Sequence, residues 1–249
     1  MTATMNTGAE TMRIDRTYMP LLIQLKTVGA VGVDDASVRA ISRLEAGRVL
    51  RDGQLHPMAD AILELVAEPA LVVSVERMRL GAVAASTIWA TPRGAAIGTR
   101  VDDGLYELKL ANTDLLPFHL FQLIHFRPLP GGEAIDVTLP ADAMLAAEAR
   151  LYGGDTPGAI EELRGRGVAD EVAAAAVSIL ASRVASWRIH SLWSNGTETE
   201  TRQTHGMDCG PRGHVLATIG SAEPTIRLRS ATSADVTAAI RSMLPGSQA

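Results

Sequence analysis

A single cysteine, Cys209, stands in the 249 residues, and that scarcity closes several routes at once. No intrachain disulfide can form and no multi-cysteine zinc site can be built. Aromatic residues are only 4% of the chain, so the interior has to be assembled mostly from Leu, Ile, Val and Ala. Blocks of like charge are lacking too: 23 Lys and Arg against 28 Asp and Glu leave a formal net charge of −5, interspersed along the chain. That distribution argues against a nucleic-acid partner and against an anionic lipid surface. The opening stretch MTATMNTGAETMRIDR has no apolar core of the signal-peptide kind, and no uncharged apolar run reaches membrane-spanning length. The expectation is a cytoplasmic protein with no membrane insertion.

Catalytic signatures are equally sparse. No GxSxG, GxGxxG or GxxxxGK[ST] stands in a strand-to-helix context. The six histidines, His56, His119, His125, His190, His205 and His214, form neither HxH nor HExxH, so surface or capping roles are expected for them and no metal or cofactor is assigned. His205, Asp208 and Cys209 lie close in sequence, and a thiol with a base and a carboxylate is the composition of a nucleophilic site. Residues so near one another beside a turn rarely face each other across a cleft, so no catalytic residue is assigned.

What is present is a repeat. Pro92-Arg93-Gly94, within IWATPRGAAI, recurs as Pro211-Arg212-Gly213, within MDCGPRGHVL, 119 residues on. Pro presets φ and Gly tolerates positive φ, so each triplet between apolar stretches reads as a hairpin turn. The sequel matches as well. Leu105 to Leu110 and Thr225 to Arg229 alternate apolar and polar, as half-buried strands do. A helix follows each: one after Thr113 and Asp114, one after Thr232 and Ser233, residues that offer an oxygen to the first free helical N–H groups. Strands then a helix, at a long period, predict an α+β fold of two quasi-symmetric halves, about 12–130 and 131–249, within one domain.

Elsewhere, residues 1 to about 12 are polar and are expected to be disordered, with strand then helix in Met12 to Leu25. Asp35 to Ala46 predicts a helix ended by Gly47, and Pro57 suits the first turn of another that stops by Pro69. Leu71 to Val75 and Val83 to Ala90 predict strands around an exposed charged loop, Glu76 to Gly81. RPLPGG at 127–132 and GGDTPG at 153–158 are breaks in an Ala-rich helical block covering roughly Asp142 to Tyr152, Ile160 to Arg164 and Asp170 to Val184. Leu163 to Leu180 has a helix-turn-helix look, but with few basic residues it is better read as two helices of a bundle. Trp187 to Trp193 alternates as a strand that puts both tryptophans on one face. That face is more often core than surface, although Trp is enriched at binding hot spots. Thr197 to Thr204 has no apolar face and reads as an exposed edge strand or a loop.

The order of these segments resembles the EspG family of type VII secretion chaperones. Ala40 to Leu71 is similar to the family's region where a helix ends in a Gly-containing turn, "LHP" (Leu55, His56, Pro57) opens the next helix, and an Ala-x-Pro element leads into a strand. His205 to Leu244 resembles the family's ending, departing from its Gly-Arg-Tyr at Gly213 and His214. The resemblance implies a central antiparallel β-sheet with flanking helical bundles, no catalytic site, and a cytosolic chaperone that binds the helical tip of a PPE protein in a PE–PPE heterodimer and keeps it soluble for export. By the same analogy, the binding surface includes the loop after the first long strand, here Arg77, Met78, Arg79 and Leu80, with the sheet face and the C-terminal helical block; Trp187 and Trp193 are interface candidates by residue type. Identity of the client and homodimer formation stay open. The competing expectation is a small-molecule-binding or enzymatic α+β protein using the cleft between the halves, with His205, Asp208 and Cys209 as its polar candidates.

Overall fold

The computed structural model describes residues 2–6, 10–28, 34–132, 134–195, 198–220 and 224–246. In chain order the first half runs β1 (Ala3–Asn6), β2 (Thr11–Asp15), α1 (Met19–Val28), α2 (Asp35–Ala46), a small hairpin β3 (Leu50–Arg51) and β4 (Gln54–Leu55), and α3 (Pro57–Ala67). It continues with β5 (Leu71–Arg79), β6 (Ala82–Thr91), β7 (Gly94–Asp102), β8 (Leu105–Ala111) and α4 (Leu116–Leu123). The second half runs β9 (Asp136–Pro140), α5 (Ala141–Tyr152), α6 (Thr156–Gly165), α7 (Asp170–Ser182), β10 (Ala185–Asn195), β11 (Glu198–Asp208), β12 (His214–Ile219), β13 (Thr225–Ala231) and α8 (Ser233–Arg241). With β1 and the β3–β4 hairpin set aside as additions to the first half, strand, three helices, four strands and a helix occur twice. The fold is the expected α+β arrangement of antiparallel sheet and flanking helices.

The helix boundaries follow local chemistry. Asp34 accepts from the N–H groups of Ala36 and Ser37 at 2.9 Å each and opens α2, while Pro57 occupies the first turn of α3. Thr232 and Asp235 cap α8 reciprocally, Asp235 N–H donating to Thr232 Oγ1 at 3.1 Å and Thr232 N–H to Asp235 Oδ2 at 2.8 Å. Both Pro-Arg-Gly triplets connect strands as predicted, the first between β6 and β7, the second, in a short 3-10 turn, between β11 and β12.

The chain divides into two compact units, one of Met1–Val75, Ala84–Leu120 and Ser191–Thr201, the other of Glu76–Val83, Phe121–His190 and Arg202–Ala249. In the first, the strand order is β1-β2-β8-β7-β6-β5, and α1 to α3 pack on it through Leu22, Leu44, Ile62 and Leu63 against Met12, Ile14, Ala96 and Leu108. In the second, the order is β10-β11-β12-β13-β9, with Val137 and Leu139 of β9, Val215 of β12 and Leu228 of β13 buried under α5, α6 and α7. Burying each such side chain contributes about 1.5–3 kcal/mol relative to exposure. Helix α8 packs on β12 and β13 through its buried Val236 and Ile240. Among the described residues no helix is long and apolar enough to cross a membrane.

Four expectations need correction. Residues 1 to about 12 are not disordered where described: β1 pairs antiparallel with β2, Ala3 opposite Ile14, and Met5 N–H donates to Gly47 O at 2.9 Å; residues 1 and 7–9 lie outside the described set. Glu76 to Arg79 continue β5, Glu76 accepting from Arg188 at 2.6 Å, so only Leu80 and Gly81 form the turn. Thr197 lies outside the described residues, but the rest of the polar stretch belongs to β11, a strand between β10 and β12 rather than an edge. Finally, β9 was not expected at all; its five residues pair with β13, Val137 opposite Leu228.

Gly206 shows how closely side chains of neighbouring strands pack: a Cβ there, on β11, would lie 2.2 Å from the ring of Trp187 on β10. Gly206→Ala should therefore destabilise by about 1–3 kcal/mol, read as a fall in the thermal midpoint of several degrees. Gly94→Ala, whose nearest neighbour would be 3.9 Å away, is the control and should barely move it. Equal midpoints for the two variants would contradict this packing.

Candidate functional site

Two concave sites border the end of β5 within the second unit, and strand alternation sorts the predicted residues between them. Met78 and Leu80 line a groove of about 480 Å³ together with Leu151 and Tyr152 of α5 and Leu180 and Val184 at the end of α7. Leu80 is 93% exposed, Tyr152 63% and Val184 38%. Arg183 forms an ion pair with Glu148 in which both side chains are largely buried, and its Nη2 donates to Tyr152 Oη at 3.2 Å. Its guanidinium also lies 5.8 Å from the Tyr152 ring centroid, and Tyr152 Oη donates to Met78 Sδ at 3.6 Å. The result is a groove with an apolar rim, one internally balanced ion pair and Arg79 at its edge.

Leu80 and Gly81 form the two-residue turn joining β5 to β6, with φ of 51° and 78°. Such turns favour Asn or Asp followed by Gly, because an L-residue with a bulky side chain is strained at positive φ. A leucine here is both strained and nearly fully solvated.

Arg77 and Arg79 line a cavity of about 180 Å³ with His125, Arg127, Asp208 and His214; Arg79 also reaches the groove. Phe126 stacks on His214, centroids 5.4 Å apart at 21°, and Trp187 forms another wall. Arg127 donates from Nε and Nη2 to Asp208 Oδ2 at 3.1 and 3.0 Å, and Asp208 Oδ1 accepts from Gly210 N–H at 2.8 Å. His214 Nε2–H donates to the Arg127 carbonyl at 3.1 Å. Burial holds His125 below the usual histidine range, with the charges of Arg77 and Arg79 adding to the effect.

The tryptophans are core residues: Trp187 and Trp193 are each 6% exposed, and Trp193 belongs to the first unit. Arg77, Arg79 and Trp187 thus share one cavity, and Met78 and Leu80 the other groove. The sulfhydryl candidates do not converge. Cys209 is fully buried, its sulfur donating weakly to Ile179 O at 3.9 Å, and burial pushes its thiol up. His205 instead borders a separate pocket with Leu216, Arg227 and Arg229. The histidines also depart from expectation. His56 caps α3, accepting from Met58 N–H at 3.3 Å, but His214 is a buried wall residue. Among the described residues no cluster of three His, Cys, Asp or Glu could hold a metal ion. Sequence reasoning missed Tyr152, Leu151, Leu180 and Val184, which look like ordinary helix residues until α5 and α7 converge beside β5.

The EspG family model matches residues 5–245, and the chain belongs to the EspG family. Among solved structures it is similar to the type VII secretion system chaperone EspG5 of Mycobacterium tuberculosis, solved in complex with a PE25–PPE41 dimer. The TM-score is 0.60 at 13% identity, over 96% of this chain and 98% of that one, a likeness of fold. No curated protein matches the chain.

Two outcomes follow from the buried groups. Cys209 in the native protein should be nearly inert to an aromatic disulfide reagent at pH 8 and should react fully in denaturant; rapid native labelling would contradict its place in the core. Burial lowers His125, His205 and His214 alike, so the unfolded chain takes up protons more readily. The stability they contribute is present above the ordinary histidine value of about 6.5 and is lost as pH falls below it. The thermal midpoint should decline from pH 7 to 5, above the range where carboxylates titrate, and His205→Gln with His214→Gln should flatten the decline. A midpoint insensitive to pH across that window would refute the assignment.

Proposed function

We propose that this EspG-family chain is a cytosolic, non-catalytic chaperone or adaptor of type VII secretion that binds a PE–PPE-type heterodimer and keeps it soluble for export. Its groove beside β5 would receive the apolar helical tip of the PPE subunit. Family membership supports the class of function, and EspG5, of similar fold, has been solved with a PE25–PPE41 dimer. The observation that carries the reading is Leu80, an exposed leucine held at positive φ on the rim of an apolar groove. Backbone strain at a residue that buries nothing is explained by a partner that it buries itself against. Met78, Leu80 and Tyr152 would then be the contact residues and Arg79 would sit at the rim. Trp187 and Trp193 would support the sheet from within, and Arg77 faces the neighbouring cavity. We further propose that the chain is a single domain whose halves, about 12–130 and 131–249, are duplicates, as their recurring element order suggests.

Leu80→Asn separates folding from binding. Asn suits positive φ, so the thermal midpoint of the variant should equal or slightly exceed that of the parent. Co-expressed with a PE–PPE-type pair and analysed by gel filtration and calorimetry, the parent should form a stable complex. Leu80→Asn, or Tyr152→Ala, should weaken it on the order of tenfold or more. Undiminished binding by both variants would place the interface elsewhere, and failure of any PE–PPE-type pair to associate with the parent would remove the function itself. The free chain's elution volume reports homodimer formation in the same experiment.

A further inference from the structure

The cavity on the other face of β5 carries charge that the apolar groove does not explain. Arg127 and Asp208 satisfy one another, and His214 is committed to the Arg127 carbonyl. Among the described residues, Arg77 and Arg79 make no hydrogen bond or ion pair. The Nε of Arg77 is buried with no partner. Two residues apart on one strand, their side chains leave the sheet on the same side, against the backdrop of a chain with net charge −5. A buried guanidinium N–H without an acceptor is costly, and a second unpaired guanidinium beside it adds repulsion. Both costs vanish if an anion with several acceptor oxygens enters.

We propose that the cavity bounded by Arg77, Arg79, His125 and Arg127 is a binding site for a small doubly charged oxyanion, inorganic phosphate or the terminal group of a phosphomonoester. Two uncompensated positive charges match a dianion, and guanidinium forks match the oxygens of a tetrahedral phosphate. The volume of about 180 Å³ leaves room for a phosphate group and accompanying water. Phe126 and Trp187 wall the site with ring surface, which raises the strength of the charged contacts by excluding water. His125 would contribute a neutral ring N–H in the free protein and, with the dianion in place, gain a reason to hold its proton. The proposal does not depend on the chaperone reading; it rests on different side chains.

The test uses the full chain at constant ionic strength, exchanging sodium chloride for sodium phosphate. The thermal midpoint should rise saturably with phosphate, and the imidazole NMR resonance of His125 should shift and titrate at higher pH. Arg79→Gln, an exposed position, should weaken the response about tenfold or more, and Arg77→Gln at least as much. Arg93→Gln, on the β6–β7 turn, should leave it unchanged. Glycerol phosphate distinguishes the two sources: tighter binding than inorganic phosphate assigns the site to a phosphomonoester, weaker binding to the free ion. Absence of a saturable phosphate effect, or an effect retained in Arg79→Gln with the fold intact, overturns the proposal.

Discussion

The two-residue turn at Leu80–Gly81 fixes where β5 ends, and with it the face on which each of the strand's last side chains lies. Because the side-chain period is two, a slip of one residue would send Arg77 toward α5 and α7 and Met78 toward Phe126 and His214. Neither environment would tolerate the exchange. In the groove beside Met78, Glu148 is already engaged by Arg183, and an added guanidinium would compete for the same acceptor. A methionine in the other cavity would leave the carboxylate and histidines facing a thioether. Both candidate sites therefore share one register.

Side chains on neighbouring strands of the sheet also pack closely. Trp187 lies flat enough on Gly206 that no side chain fits between them, and Gly98 stands in the same relation to Trp89 and Leu108 in the first unit, where a Cβ would come within 2.8 Å of each. Trp187 and Trp89 are thus each placed against a glycine that leaves room for the ring. Trp187 and Trp193 are each 6% exposed, which separates them from the exposed hot-spot role that their residue type suggests.

How much of this was legible in the sequence depends on what signal each element carries. The helix starts at Asp35, Pro57 and Ser233, the strand before the first Pro-Arg-Gly triplet and the two turns themselves are written in local chemistry and were readable. The strands that were not readable share a physical reason: backbone pairing holds them more than a side-chain pattern does. β1 is only four residues, two of them polar, yet Met5 N–H reaches Gly47 O and Ala3 is covered. Most of the first two-thirds of β11 is exposed, so Thr and Glu alternate without an apolar face even though the strand has a neighbour on each side. β9 offers only Val137 and Leu139, too little periodicity to stand out before Pro140. Charged residues hid the extension of β5, because Glu76 is balanced by Arg188 across the sheet and not by sequence neighbours. The groove was legible only in its β5 half, since α5 and α7 are brought beside that strand by tertiary packing.

The two sites differ in what keeps them open. The groove rim carries exposed apolar surface, which water disfavours and which a partner's apolar surface covers without any specific geometry. The arginine cavity carries unpaired charge, which water tolerates only at its mouth, so the buried Nε of Arg77 needs an acceptor of definite position. Surface of the first kind selects by shape and area, and suits an amphipathic protein client. Surface of the second kind selects by charge and valence, and suits a small ion. Since Arg79 borders both, an ion drawn into the cavity would also neutralise the charge at the edge of the groove. The electrostatic character of the rim would then be set by what the cavity holds, and acidic residues flanking a client's apolar tip would meet a different surface when the cavity is filled.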